Sequence, residues 1–124
     1  MKKDILTRLD IEMLIHSFYV KVLEDDLLSP IFNEKVHIKW DKHLPLMCDF
    51  WENTLFFTGA YKGNPMHLHK HLNQVHSIDE SHFNRWLLLF NATIDKNFKG
   101  SNASIAKRKA KKLASILSGM VLKS

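Results

Sequence analysis

The sequence predicts an all-α protein, and three observations carry that expectation. Large apolar residues recur at spacings of three and four along most of the chain, the period of a helix that buries one face. No run of any length alternates apolar and polar residues as a half-buried strand would. Residues that start or break helices, namely Asp10, Ser29-Pro30, Ser77 with Glu80, and Gly100, fall between the periodic stretches.

Each element follows from its pattern. Asp10 is expected to cap the first helix, in which Ile11, Leu14, Ile15, Phe18 and Val22 share a face as far as about Asp25 or Asp26. Tyr19 lies one turn beyond Ile15, beside that face. Ser29-Pro30 breaks the helix, and a short turn presents Phe32 to the core. A second helix carries Trp40, His43, Leu44, Met47, Phe50, Trp51 and Leu55. Pro45 costs least in a first turn, so regular hydrogen bonding is expected from about Asp41 or Lys42, with His43 looking along the stripe of Met47 and Trp51. Thr58 to Pro65 reads as a loop, and a short helix ending near Asn73 follows. Ser77 and Glu80 form a capping box that opens a third long helix with Phe83, Trp86, Leu87, Phe90 and Ile94 on one side. Gly100-Ser101-Asn102 should end that helix and cap a last one, with Ile105, Leu113, Ile116, Leu117 and Met120 facing inward.

The 124 residues, 45% of them hydrophobic, suffice for one core and are too few for two ordinary domains, so a single domain spanning 1–124 is expected. The lone Cys48 excludes an internal disulfide, a cysteine-based zinc cage and an iron–sulfur cluster. Any metal must be held by nitrogen or oxygen. Asp4 stands where a signal peptide would begin its apolar stretch, and no window approaches the roughly 18 apolar residues of a membrane span. A cytoplasmic protein without a membrane partner is expected. The net charge of +5 reflects Lys107, Arg108, Lys109, Lys111 and Lys112 on the last helix. No aromatic residues interleave with them as stacking platforms, so they are read as a solvated face rather than a nucleic-acid site.

The tract Pro65-Met66-His67-Leu68-His69-Lys70-His71-Leu72 suggests a transition-metal centre. On a helix His67 and His71 share a face and His69 points almost oppositely, so the three cannot ligate one ion together. Met66 and Leu72 stand three positions either side of His69 and place it inward, leaving His67 and His71 beside Lys70. A lone inward histidine is more often a satisfied core residue than a ligand. Here, however, Phe32, Met47, Phe50, Trp51, Trp86 and Phe90 aim large flat or flexible side chains at the space between His69 and His43. An aromatic slot with one strong nitrogen ligand and controlled polarity opposite suits a haem.

Phe18-Tyr19, Pro30-Ile31-Phe32, Trp40…His43-Leu44-Pro45, Asp49-Phe50-Trp51-Glu52, Tyr61-Lys62-Gly63-Asn64-Pro65-Met66…His69 and His82-Phe83-Asn84-Arg85-Trp86-Leu87…Phe90 together resemble the truncated haemoglobins, specifically their group III branch, from about residue 10 to 120. The resemblance implies a globin-like two-over-two helical sandwich holding haem b, iron protoporphyrin IX. It implies His69 as the proximal iron ligand, Tyr19 and His43 as the distal pair, and Trp86 as the tryptophan bordering the distal pocket. It implies Phe32 against the porphyrin, Met47, Phe50 and Trp51 as the distal-helix wall, and Tyr61 and Arg85 near the propionates. Met66, Leu72 and Phe90 complete the expected cofactor contacts.

The implied function is reversible binding of O2, NO or CO. Peroxide turnover or oxygenation of nitric oxide would need electrons from an external reductase, because the chain has no glycine-rich dinucleotide motif. Two alternatives stand beside this reading. One is a zinc or nickel protein using His67, His69, His71 and His76, and the other is a structural helical interaction module.

Overall fold

The computed structural model describes residues 2–30, 40–57 and 79–122, with only the backbone at 117 and 119–122. Four helices make up the described chain: α1 Arg8–Glu24, α2 Trp40–Phe56, α3 Glu80–Asn97 and α4 Ser101–Leu122. The only strand-like pairing among the described residues is one bridge between Lys3 and Phe98. The all-α expectation holds. The turn around Phe32, the loop from Thr58 and the short histidine-bearing helix lie outside the described residues. No described helix is long and apolar enough to cross a membrane.

α1 packs against both α2 and α3, and α3 packs along α4. Its inner face is the expected one, with Ile11, Leu14, Ile15, Phe18 and Val22 buried and Tyr19 joining them. The cap differs from expectation. Thr7 is the N-cap, and Asp10 is the third helical residue of a capping box, its carboxylate accepting from the Thr7 and Leu6 amides at 3.1 and 2.9 Å. An aspartate three residues into a helix reaches back to the amides that precede it, so the helix begins three residues earlier than Asp10 as cap would allow.

α2 includes Pro45 in its interior rather than its first turn, which leaves the Asp41 carbonyl with no amide donor at Pro45. α3 begins at Glu80 on an Asp79 N-cap, and His82 Nδ1 accepts from the Asp79 amide at 3.0 Å. The expected box from Ser77 is therefore displaced by two residues, Ser77 itself lying outside the described chain. Phe83, Phe90 and Ile94 are buried as expected, while Trp86 and Leu87 are half-buried.

The last helix departs furthest from its expected face. Ala103, Ala106, Ala110 and Ala114 are buried, whereas Ile105 and Leu113 are half-buried and Ile116 is 37% exposed. Small side chains at spacings of three and four let the helix lie close to its neighbours, and the larger residues fall to the flanks. Its cap is also remote in sequence. Asp4 accepts from the Asn102 and Ala103 amides, both at 2.9 Å, and Asn102 Nδ2 donates to the Ile5 carbonyl at 2.7 Å. Gly100 makes that approach possible. Its φ of +147° suits glycine, and a Cβ there would stand 2.4 Å from Asp4 Cγ.

Two ion-pair sets hold the helices in place. Arg8 reaches Asp49 at 2.6 Å and Glu52 at 3.3 Å, joining α1 to α2. Arg85 bonds Asp25 Oδ1 through Nε and Nη2, both at 2.7 Å, while Oδ2 accepts from the Leu27 and Leu28 amides, so the end of α1 is pinned to α3.

Burial alone would raise the Asp4 carboxyl pKa, but the amides of Asn102, Ala103 and Ile5 and the Ser101 hydroxyl outweigh it and hold it below the ordinary 3.8. Asp10 and Asp25 are depressed likewise, burial being outweighed by Lys3 and by Arg85 respectively, with help from backbone amides. A depressed carboxylate stabilises the fold at pH values above its unfolded pKa, and that contribution is lost as pH falls through the folded value. Urea unfolding at pH 7 should show Asp4→Ala less stable by about 1–2 kcal/mol. Wild type should lose stability steeply below the ordinary carboxyl value of 3.8, and the slope should be shallower in the variant.

Candidate functional site

Tyr19 is on the inner face of α1 and only 4% exposed, and its hydroxyl points across to α2. There it lies 3.4 Å from His43 Nε2. That is the long end of a hydrogen bond; in the Nδ1–H tautomer the hydroxyl donates to Nε2, and in the other tautomer the ring donates to the hydroxyl. Trp40 stands edge-on to both rings, with centroids 5.1 Å from Tyr19 and 5.5 Å from His43. Three residues before His43 on a helix, it shares the histidine's face. The sequence places Trp40 on the apolar stripe but gives it no site role, and this i, i+3 spacing was the signal for one.

A second group of rings adjoins the first. Phe18 touches Tyr19 at 5.0 Å and meets Trp86 and Phe90 edge-on at 5.4 and 5.1 Å. Trp86 and Phe90 stack at 5.5 Å with planes 4° apart, and Trp51 lies on Phe90 at 4.9 Å and 25°. Phe50 meets Trp51 edge-on at 5.2 Å. Met47, Trp51 and Phe90 are buried, while Phe50, Trp86, Leu44 and His43 are half-buried. Of the expected site residues, Tyr19, His43, Met47, Phe50, Trp51, Trp86 and Phe90 thus occupy one contiguous apolar wall with a polar pair at its edge.

Arg85 points elsewhere in part, its Nε and Nη2 being held by Asp25. No signal in the sequence links these two, 60 positions apart. Phe32, Tyr61, Met66, His69 and Leu72 lie outside the described residues, as do His67, His71 and His76. Among the described residues no three His, Cys, Asp or Glu side chains converge as a metal site.

Burial pushes the Tyr19 phenol well above its ordinary 10.0, and the nearby Cys48 thiol adds to the shift. Burial likewise raises the Cys48 thiol to about 11; Arg8 opposes this, while Glu12, Asp49 and Glu52 reinforce it. Both groups keep their protons at neutral pH. Tyr19 is therefore a hydroxyl donor throughout, and Cys48 is a small packed side chain rather than a nucleophile. The donor set, a protonated phenol and an imidazole against flat apolar rings, fits the open side of a haem and a small polar ligand there.

No family model matches the chain. A curated relative, the group 3 truncated hemoglobin ctb of Campylobacter jejuni, is 29% identical over 126 aligned positions, spanning 99% of this chain and 97% of the relative. The crystal structure of the group III truncated hemoglobin from Campylobacter jejuni superposes with a TM-score of 0.80 at 27% identity, covering 98% of this chain and 95% of that one. The chain has the truncated-globin fold, and the resemblance read from its sequence extends over nearly its whole length.

The protected phenol has a direct readout. Wild type and Tyr19→Phe should show equal tyrosinate absorbance up to the pH at which the fold is lost. An extra phenol ionising near pH 10 in folded wild type would contradict the burial of Tyr19.

Proposed function

We propose that this chain, a relative of the group III truncated haemoglobins in sequence and fold, binds haem b and reversibly takes up O2, NO or CO. The observation that carries the reading is the pairing of Tyr19 and His43, two polar side chains from different helices that meet at 3.4 Å beside an otherwise aromatic wall. A core built for packing alone would have no use for a buried hydroxyl and an imidazole at that place.

His69 would hold the iron, its second ring nitrogen fixed by a backbone or side-chain acceptor. When bound, haem supplies an open coordination position for a diatomic ligand. Tyr19, whose hydroxyl meets His43 in the free chain, would offer its proton to a ligand held there, and the phenol's raised pKa keeps that proton in place at physiological pH. A hydrogen bond to a partly anionic ligand is stronger than one to a neutral acceptor, so Tyr19 would favour retention of O2 over CO. His43 takes the second donor or acceptor role by its tautomer, and as a half-buried group it also controls access from solvent. Met47, Phe50, Trp51, Trp86 and Phe90 form the apolar wall that keeps water from competing for these donors. Phe32, Met66 and Leu72 are proposed as further contacts to the macrocycle. Tyr61 and Arg85 are proposed for the propionates, Arg85 from a guanidinium that already holds Asp25.

The same donors can polarise an O–O bond, so oxygenation of nitric oxide or turnover of peroxide lies within reach of the site. Either reaction would draw electrons from a separate reductase.

The test is the visible spectrum of the purified chain reconstituted with haem. A Soret band that His69→Ala abolishes or strongly shifts is expected. A chain that takes up no haem, or whose Soret band is indifferent to His69→Ala, would overturn the proposal.

A further inference from the structure

α1 is apolar on two opposite sides. Its inner face is buried, yet Leu9, Met13 and Val20 on the other side are 75%, 43% and 54% exposed, and Leu6 and Leu27, just beyond its two ends, are 59% and 38% exposed. With exposed His16 and half-buried Leu23, positions 9, 13, 16, 20 and 23 follow the spacing 4, 3, 4, 3 within the helix and form one stripe without a single Asp, Glu, Lys or Arg, flanked beyond its ends by Leu6 and Leu27. A helix with apolar residues on two opposite sides ordinarily packs both against a neighbour. Heptad spacing of this kind is what one helix presents to another of the same spacing.

We infer that a second copy of this chain covers the stripe, in a two-fold dimer whose α1 helices pack antiparallel. The apolar area exposed along it is on the order of 500 Å² per copy, near the top of what a monomer usually leaves bare. A standard interface buries about 800 Å² per partner, and in homodimers about 65% of that is apolar, so the stripe supplies the apolar part of one such interface. The antiparallel register sets Leu9 against Val20 of the second copy and Met13 against its His16. It also brings the exposed acids Glu24 and Asp26, at and just past the end of one α1, over the segment bearing Lys2 and Lys3 in the other, exposed side chains that within their own chain also reach the Asp95 carbonyl and Asp10. A parallel pair would instead set the two acidic ends side by side. The dimer does not depend on haem, and its test reads mass rather than colour.

Sedimentation equilibrium of the full chain should show twice the monomer mass across the micromolar range. Leu9→Glu and Met13→Glu, both at exposed positions and so compatible with folding, should each weaken the dimer at least about tenfold with unchanged helical circular dichroism. The double variant Leu9→Cys with Val20→Cys should form a covalent dimer on oxidation. Within one helix the two positions are about 16 Å apart, too far for an internal disulfide. A wild-type chain that stays monomeric, as it would if another protein or another segment of this chain covered the stripe, overturns the inference. So does a dimer indifferent to both charge insertions, or a double-cysteine variant that never cross-links.

Discussion

Burying a phenol with its hydroxyl unbonded is expensive, on the order of a few kcal/mol, and the arrangement of this molecule meets that constraint at a helix interface. Tyr19 belongs to the same face of α1 as Ile15, Phe18 and Val22, so the packing that buries those residues also buries the phenol. Its hydroxyl is then aimed at α2, where it pairs with His43 Nε2 at 3.4 Å, as donor or acceptor according to the imidazole tautomer. The pair survives only if α1 and α2 keep their distance and rotation. Arg8 fixes one end of that interface through Asp49 and Glu52, and the Asp25–Arg85 pair fixes the far end of α1 against α3. The first clamp joins half-exposed groups, so its value lies in register more than in net stability, whereas the second engages a buried carboxylate.

The aromatic wall depends on the same alignment. Phe18 precedes Tyr19 and so points to the neighbouring sector of the helix, where it meets Trp86 and Phe90 edge-on. One dipeptide thereby links the polar pair to the stacked rings. α4 supports this assembly from behind through its alanines, and it is itself positioned by a carboxylate from the far end of the chain. Asp4 closes the helix start while Ile5 and Phe98 bury beside it, so the N-terminal segment closes the fold rather than trailing from it.

What the sequence made legible was whatever helical period controls. The inner face of α1 and the buried Phe90 and Ile94 of α3 follow from spacings of three and four, whereas the pairing of Tyr19 with His43 is what the resemblance to the truncated haemoglobins implies. The caps of α1 and α3 were misread by two or three residues because aspartate serves both as a cap and as the third residue that reaches back, and pattern alone does not separate the roles. The buried side of α4 was misread for another reason. Large apolar residues dominate its pattern, whereas the closely packed side of this helix is lined by Ala103, Ala106, Ala110 and Ala114. Asp4 with Asn102, and Asp25 with Arg85, are joined only by tertiary structure, so no local signal announced them. The outer stripe of α1 was visible in principle, but it resembled the core face until its exposure was known.

The central proposal is that Tyr19 would donate a hydrogen bond to a ligand bound at the haem. Stopped-flow measurement of O2 dissociation from the haem-reconstituted chain tests this most directly, comparing wild type with Tyr19→Phe. A hydrogen bond to a partly charged ligand is worth about 1.5–3 kcal/mol, so the variant should release O2 about ten- to a hundredfold faster. An unchanged rate, with haem uptake and fold intact, would contradict the claim.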